Sequence, residues 1–349
     1  MLPVLLRPDQ IQPADDAARL FAEHGEHAVA RAIRDALTAL GETFDQSGLA
    51  RLIAENRFSE IWRHLAIERL RHALRPTLNR LAIIHDQAAN SASLAIPHAH
   101  LLAKAAPKNT KTPAVINLTY DPLNADTVAA QNATNDALAA AIEDQAIRTA
   151  QQILSDGLAK RIAPAQIARS LRETLGMSEI EAAAIESYRR ALQSGTTSSL
   201  SRALRDRRYD ARVLRGDMTP DQIDVMTQRY AERYRAFRAL RIARTESLRA
   251  ANQGKRAAWV QYAEATGRGV RRFWQTAGDE LVCSVCAPIP SMNPDGVDLD
   301  QPYQTPKGPL MMPPDPHPNC RCTERFARLA SGGASSSGVG VRIESDYGE

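Results

Sequence analysis

All four cysteines of this 349-residue chain lie in two short motifs, Cys283-Ser-Val-Cys286 and His317-Pro-Asn-Cys320-Arg-Cys322. A Cys-x-x-Cys pair on a tight turn can place two thiolates on one tetrahedral Zn²⁺, and a later cysteine or histidine pair can complete the shell. Cys320 and Cys322 are two positions apart, so in an extended segment both side chains point to one face. We therefore predict a structural zinc site, formed by the four thiolates or by three of them with His317.

The segment between the two motifs is rich in proline, glycine and aspartate, which predicts an irregular loop. Few backbone groups of so long a loop can pair with each other, so the loop needs to be held at its base. A disulfide or four free buried thiols are the alternatives to a metal ion. The rest of the chain has no cysteine, which is unlike a disulfide-stapled secreted scaffold.

The overall charge is nearly balanced, with 44 lysine and arginine residues against 40 aspartate and glutamate residues. Residues 202–272, however, contain 18 basic residues, 17 of them arginine, against 8 acidic ones. Such an excess favours an acidic partner or a phosphate backbone, although arginine is also an ordinary solvent-facing residue in a chain of this composition. The candidates for contact with a partner or with DNA are Arg202, Arg205, Arg207, Arg208 and Arg212.

No run of about 18 apolar residues occurs in the sequence, so no membrane-spanning helix is predicted. Residues 1–6 are apolar but lack the basic front and the small-residue cleavage site of a signal peptide. Secretion is therefore not expected.

The length predicts about two domains with appendages.

Apolar residues recur at three- and four-residue steps in several segments before residue 200, which predicts a succession of amphipathic helices. Pro76 lies inside one of these patterns and should kink or divide it. Ser178 followed by Glu181 has the spacing of a capping box. The predicted helices span 15–40, 58–84, 126–160, 164–175 and 178–192.

Residues 90–124 interrupt the helical pattern with four prolines and three lysines, which predicts a linker or an extended arm. Within it, the segment from Ala114 to Tyr120 has the composition of a strand. His98 and His100 would suit a metal ion if they were extended, although two histidines on a loop are usually solvated.

The longest helical pattern starts at Thr219 and Pro220, with proline where the first helical residue should be. Its periodicity places Arg244 on the apolar stripe, where a guanidinium needs a carboxylate unless it reaches past the stripe to water. Asp279 or Glu280 is the expected partner, and Glu246 is another candidate. The predicted polar cluster comprises Arg244, Thr245, Glu246, Asn252 and Asp279.

After residue 267 the pattern changes to an alternation that predicts a strand over 270–276, followed by a turn. The sequence therefore predicts a mainly α protein, in which a long-helix N-terminal region precedes a small α+β C-terminal domain with a cysteine-rich loop. The predicted divisions are an N-terminal helical region (1–90), a linker (91–124), a middle helical region (125–216), the α+β domain (217–330) and a flexible tail (331–349).

Over residues 219–327 these motifs join into one pattern. It consists of Ile242-Ala-Arg-Thr-Glu246, Asn252, Gly254, Trp274 with Asp279, the first cysteine pair, a Gly/Pro-rich insert, and Pro314-Asp-Pro-His317-Pro-Asn-Cys320-Arg-Cys322. This pattern resembles the phage Mu F-like head-morphogenesis family, the minor head proteins of tailed bacteriophages and prophages. The resemblance covers about a third of the chain, and the residues before 219 carry no matching motif.

The resemblance implies a structural virion protein, present in several copies at the portal vertex or in the capsid interior after assembly in the host cytoplasm. Its implied partners are the portal protein, capsid or scaffold proteins and packaged DNA, with no membrane. It implies a role in head assembly, extending to DNA packaging or ejection.

Two alternatives stay open. The chain could be a DNA-associated virion protein that uses the arginines of residues 202–272. It could also be an ADP-ribosyltransferase-like enzyme with Arg244 as a dinucleotide-phosphate contact, because the family has been grouped by fold with those enzymes. The sequence has no Gly-rich phosphate loop and no supported nucleophile–base pair, so no catalytic residue is assigned.

Overall fold

The computed structural model describes residues 14–42, 45–65, 67, 69–96 and 119–329. These residues are mostly helical with one small antiparallel sheet near the C-terminal end, which confirms the predicted mainly α fold with a small α+β C-terminal domain. The helices are α1 (Ala14–Glu42), α2 (Gln46–Ala54), α3 (Phe58–Leu65), α4 (Arg69–Ala73), α5 (Arg75–Ala95), α6 (Ala125–Ala159), α7 (Pro164–Thr174), α8 (Glu179–Gln193), α9 (Asp210–Arg215), α10 (Pro220–Thr266) and α11 (Ile289–Met292). None of these helices has both the length and the apolar composition needed to cross a membrane.

The helix boundaries follow local signals in the sequence. Pro76 lies in the first turn of α5, where the missing N–H is tolerated, and the predicted helix over 58–84 is divided into α3, α4 and α5. The Ser178 backbone N–H donates to Glu181 Oε2 at 2.9 Å, which confirms the capping box at the start of α8. Pro220 is the first residue of α10, a helix of 47 residues.

Part of the predicted linker lies outside the described residues. His98, His100 and the predicted strand from Ala114 up to residue 118 fall there, as does the predicted tail over 331–349. On the near side of this gap, α5 continues to Ala95. On the far side, Tyr120 is buried outside any strand, and its backbone N–H donates to a serine hydroxyl of α5 at 3.1 Å.

The described residues divide into two compact units, each built from segments that are distant in sequence. We call them the sheet unit (residues 14–29, 79–96, 119–131 and 241–329) and the helical unit (the described residues of 30–78 and 132–240). Helices α1, α5, α6 and α10 each contribute one part to each unit. The regions predicted from the sequence, by contrast, are each continuous in sequence.

Aromatic rings from α8 and α10 pack together within the largely aliphatic core of the helical unit. Tyr188 and Tyr230 stack with their ring centroids 4.2 Å apart, and Tyr234 meets Tyr230 edge-on at 5.1 Å. Arg238 Nη1 donates to Glu181 Oε2 at 2.9 Å, and both side chains are almost completely buried. A buried guanidinium is tolerated here because its charge is paired.

The sheet unit has three antiparallel strands in the order β2-β1-β3, where β1 is Val270–Gln275, β2 is Val297–Asp298 and β3 is Thr323–Arg328. β3 pairs with β1 along its whole length, and this strand is one that the sequence analysis did not predict. Trp259 of α10 stacks on Phe326 of β3 with ring centroids 5.8 Å apart. This contact fixes the sheet against the helix.

A buried ion pair crosses the sheet between β1 and β3. Arg272 and Glu324 have no exposed side-chain surface, and Arg272 Nη1 lies 2.6 Å from Glu324 Oε1. The Tyr303 hydroxyl donates to the same carboxylate oxygen at 3.0 Å, and Arg272 also donates to the Met311 carbonyl oxygen at 2.8 Å. Because a buried pair is tolerated only when its remaining donors are satisfied, these contacts tie the loop to the strands.

Gly254 lies at a close approach of α10 to α5 within the sheet unit. A Cβ atom at this position would lie 2.0 Å from the carbonyl oxygen of His85 and 2.8 Å from its carbonyl carbon. Only a residue without Cβ allows this backbone contact.

Gly254→Ala is expected to destabilise the protein. Alanine is favoured over glycine by about 1 kcal/mol in a helix interior, so propensity alone predicts a gain. The contact with His85 instead predicts a net loss of about 1–3 kcal/mol in the free energy of unfolding, as for an overpacked core. Chemical denaturation measures this, with Ala265→Ser at an exposed position of α10 as the control. A free energy of unfolding that stays equal or rises would contradict the close contact.

Candidate metal centre

The first cysteine pair lies on a tight turn just before α11. The N–H groups of Cys286 and Ala287 donate to the Cys283 carbonyl oxygen at 3.1 and 3.0 Å. The Cys286 N–H also lies 3.4 Å from Cys283 Sγ, where it stabilises negative charge on that sulfur. The turn therefore suits a thiolate at Cys283.

The second pair lies just before β3. Asn319 has a φ of 59°, a left-handed conformation that asparagine adopts more readily than most residues, and it turns the chain before Cys320. Cys320 and Cys322 are buried, whereas Arg321 between them is partly exposed and pairs with Asp279 at 2.5 Å. The two sulfurs thus face the interior together.

Five donor atoms from the two motifs form one cluster. His317 Nε2 lies 3.0 Å from Cys283 Sγ and 3.2 Å from Cys286 Sγ, and Cys286 Sγ lies 3.8 Å from Cys320 Sγ. There are two overlapping sets, Cys283 with Cys286 and His317, and Cys286 with Cys320 and Cys322. Within each set the ligand atoms all lie within 4.8 Å of one another. The cluster could therefore hold a metal ion.

The orientation of His317 favours metal binding. Its Nδ1 lies 2.9 Å from the Pro318 carbonyl oxygen, which can only accept a hydrogen bond. In the neutral imidazole, Nδ1 therefore carries the proton, and Nε2 presents its lone pair to the sulfurs. Metal-bound histidines commonly donate the second ring N–H to an acceptor of this kind.

Burial and mutual contacts set the protonation of the buried thiols. Removal from water raises the pKa of Cys286 to about 12, and the hydrogen bond with Cys322 raises the pKa of Cys320. The same hydrogen bond lowers the pKa of Cys322 to about 6. Without a cation, Cys286 and Cys320 therefore keep their protons at neutral pH, whereas Cys322 is the most readily ionised. A metal ion would replace these protons, so its affinity falls as the pH falls.

All four cysteines are free, so the structure does not contain the disulfide considered as an alternative. Cys286 Sγ and Cys320 Sγ are 3.8 Å apart, whereas a disulfide bond is about 2.05 Å long. A metal ion and free thiols are the two alternatives that fit this geometry.

Side chains of α10 hold the loop in place beside the cluster. Thr245 Oγ1 accepts a hydrogen bond from the Asn319 backbone N–H at 3.0 Å. Asn252 is fully buried and donates through Nδ2 to the Pro313 carbonyl oxygen at 3.2 Å. Lys255, which the sequence analysis did not single out, donates to a carbonyl oxygen of β3 at 2.6 Å. These contacts satisfy backbone groups that the irregular loop leaves unpaired.

The prediction that Asp279, Glu280 or Glu246 pairs with Arg244 is wrong. Arg244 donates to Glu26 of α1, with Nε 3.1 Å and Nη2 2.9 Å from Oε1, rather than to Asp279 or Glu280. Asp279 pairs with Arg321 instead. Glu26 is 218 positions away in the sequence, so spacing along one helix could not indicate it.

Glu246 is also engaged, but not with Arg244. It accepts from Arg249 Nε at 3.1 Å, and Arg249 also pairs with Asp315 of the loop. Burial raises the pKa of the Glu246 carboxyl. The five residues predicted as one polar cluster are thus divided. Thr245 and Asn252 bond to the loop, Glu246 reaches it only through Arg249, and Arg244 and Asp279 have separate partners.

Of the five arginines predicted to face a partner or DNA, three have partners within the helical unit. Arg207 and Arg212 are exposed, and so is Arg208 although it is paired. The three contacts are Arg202 with Ser187, Arg205 with Asp210, and Arg208 with Asp206. An external phosphate would compete with these acidic groups for Arg205 and Arg208.

Comparison with known proteins identifies no relative. No protein-family model matches the chain, and no curated protein or solved structure does. The resemblance to the phage family therefore depends only on the residues quoted above.

Cys286 belongs to both sets of ligand atoms, whereas Cys283 belongs to one. We expect Cys286→Ser to lose nearly all bound metal, because it removes a buried donor that both sets share. Cys283→Ser should retain at least half, because it leaves the set of Cys286, Cys320 and Cys322 intact, with His317 close to Cys286. Elemental analysis of the two purified variants measures the ratio of metal to protein. Equal metal contents in the two variants would contradict the inference that Cys286 is the ligand shared by both sets.

Proposed function

We propose that the chain is a structural protein of a tailed-bacteriophage head, a minor head protein that joins the procapsid at the portal vertex. The portal protein and capsid or scaffold proteins are its partners, and several copies enter each virion. The observation that carries this proposal is that residues of the family-like pattern contact one another and the backbone around them.

The polar groups of the pattern hold main-chain segments in place. Thr245 and Asn252 bond to the backbone of the cysteine-rich loop, and Gly254 allows the close approach to α5. These contacts favour an architectural role, since an enzyme needs such groups directed at a substrate. Arg244, on which the enzyme alternative depends, is bound to Glu26.

Zinc is the metal in this proposal. Thiolates with imidazole suit zinc, whereas magnesium and calcium prefer oxygen ligands. With Zn–S bonds of about 2.3 Å, a tetrahedral site places two sulfurs about 3.8 Å apart, and Cys286 and Cys320 have this separation. The ion would hold the two ends of the proline-rich loop together and would have a structural role, not a catalytic one.

The zinc assignment predicts one zinc per chain in protein purified without chelators. Removal of the ion by a chelator under reducing conditions should lower the melting temperature, and added Zn²⁺ should restore it, because the ion stabilises only the folded loop. Elemental analysis and thermal melting measure both effects. The control is the Cys286→Ser variant, whose melting temperature should not respond to chelator or zinc. A metal-free protein with four titratable thiols would refute the zinc assignment.

The head-protein assignment predicts capture of the chain by the portal protein encoded in the same phage or prophage. A tagged portal protein should retain the co-expressed chain, and mass spectrometry should find the chain in purified procapsids. A portal protein from an unrelated phage is the control and should not retain it. Absence from procapsids together with no capture would refute the assignment.

A further inference from the structure

A cavity of about 490 Å³ lies within the helical unit, between α1, α2, α7 and α10. Arginine side chains dominate its polar lining, with Arg34 from α1, Arg169 and Arg172 from α7, and Arg235 from α10. It is separate from the cysteine cluster, and no motif of the sequence analysis includes it.

Two carboxylates that line the cavity, Glu173 and Asp224, are paired with arginines. Arg189, which does not line the cavity, has Nη2 2.6 Å from Glu173 Oε1 and Nη1 2.5 Å from Asp224 Oδ1. Arg169 pairs with Asp224 at 2.8 Å. A third lining carboxylate, Glu232, is exposed to solvent, where water screens its charge.

Two guanidinium groups of the cavity have no ion-pair partner among the described residues, although the charges of Glu173 and Glu232 act on Arg235 from a longer distance. Among the described residues, neither Arg172 nor Arg235 has a carboxylate within 4 Å. Arg235 donates through Nη2 to the carbonyl oxygens of Arg172 and Glu173, at 3.1 and 2.7 Å, and its Nε is buried without a hydrogen-bond partner. Burial lowers the pKa of Arg235 because its charge is poorly solvated. The charge of Arg235 is therefore poorly compensated, and an anion in the cavity would recover part of the free energy that this costs.

We propose that this cavity binds a small phosphate-type oxyanion, held by the guanidinium groups of Arg172 and Arg235. The planar guanidinium presents paired N–H donors that match phosphate oxygens. Arg34 also lines the cavity, but it is half-exposed and its charge is paired with the neighbouring Asp35. The volume of about 490 Å³ accommodates a phosphate group and part of the molecule that carries it.

The test compares two exposed arginines that occupy equivalent helix positions. Arg172 lies in the last turn of α7 and lines the cavity, whereas Arg190 lies in the last turn of α8 and does not. Each substitution, Arg172→Gln and Arg190→Gln, removes one positive charge from a helix C-terminus. Calorimetric titration of the full chain with inorganic phosphate, at constant ionic strength with chloride as the background anion, should show about tenfold weaker binding for Arg172→Gln, as for a lost charge-assisted hydrogen bond. Binding by Arg190→Gln should equal that of the unmodified chain.

Arg235→Lys provides a second variant, which keeps the charge but loses the paired donors and should also weaken phosphate binding. Circular dichroism establishes that each variant retains its helices. A short single-stranded DNA that displaces phosphate would identify a phosphodiester as the source of the oxyanion, and failure to displace it would identify a free phosphate group. The proposal would be overturned if phosphate showed no saturable binding up to about 10 mM, because a dissociation constant above that value is far weaker than micromolar recognition. Equal affinities in Arg172→Gln and Arg190→Gln would also overturn it.

Discussion

The path of the cysteine-rich loop depends on hydrogen bonds from side chains of α10 to its backbone. The loop between β1 and β3 contains only the short α11 and the two-residue β2, so most of its carbonyl and N–H groups lack partners from regular structure. Asn252 and Thr245 supply such partners from a rigid helix. Because these donors and acceptors sit on one helix face, the loop takes a defined course although its own sequence is irregular.

The cysteine–histidine cluster and the buried ion pair fix the same loop at two further places. The cluster joins the two ends of the loop, and Arg272 with Glu324 joins its middle, through Tyr303 and Met311, to the strands. The three sets of contacts differ in kind, since one depends on neutral hydrogen bonds, one on contacts among cysteine and histidine side chains, and one on a paired charge. Disruption of the cysteine–histidine cluster would therefore loosen the base of the loop more than its centre.

The sequence predicted the elements that depend on local signals and missed those that depend on distant contacts. Helix positions followed from apolar periodicity and from Pro76, Ser178 and Pro220. Strand β3 is buried at five of its six positions, so its sequence lacks the alternation of a half-exposed strand. The five donors of the cluster were recognisable from spacing, whereas the Arg244 partner was not, because Glu26 belongs to another helix.

The interleaving of the two units has a consequence for the order of folding. The sheet unit needs α1 residues before 30 and strand residues beyond 322, so its most distant parts are separated by nearly the whole described chain. Closing so large a loop is entropically costly and slow. During synthesis the first half of α1 can pack on α5, where Gly25 meets Ile84, but the strands are made much later. The incomplete sheet unit is therefore exposed to chaperones or to premature association with other copies until synthesis nears its end.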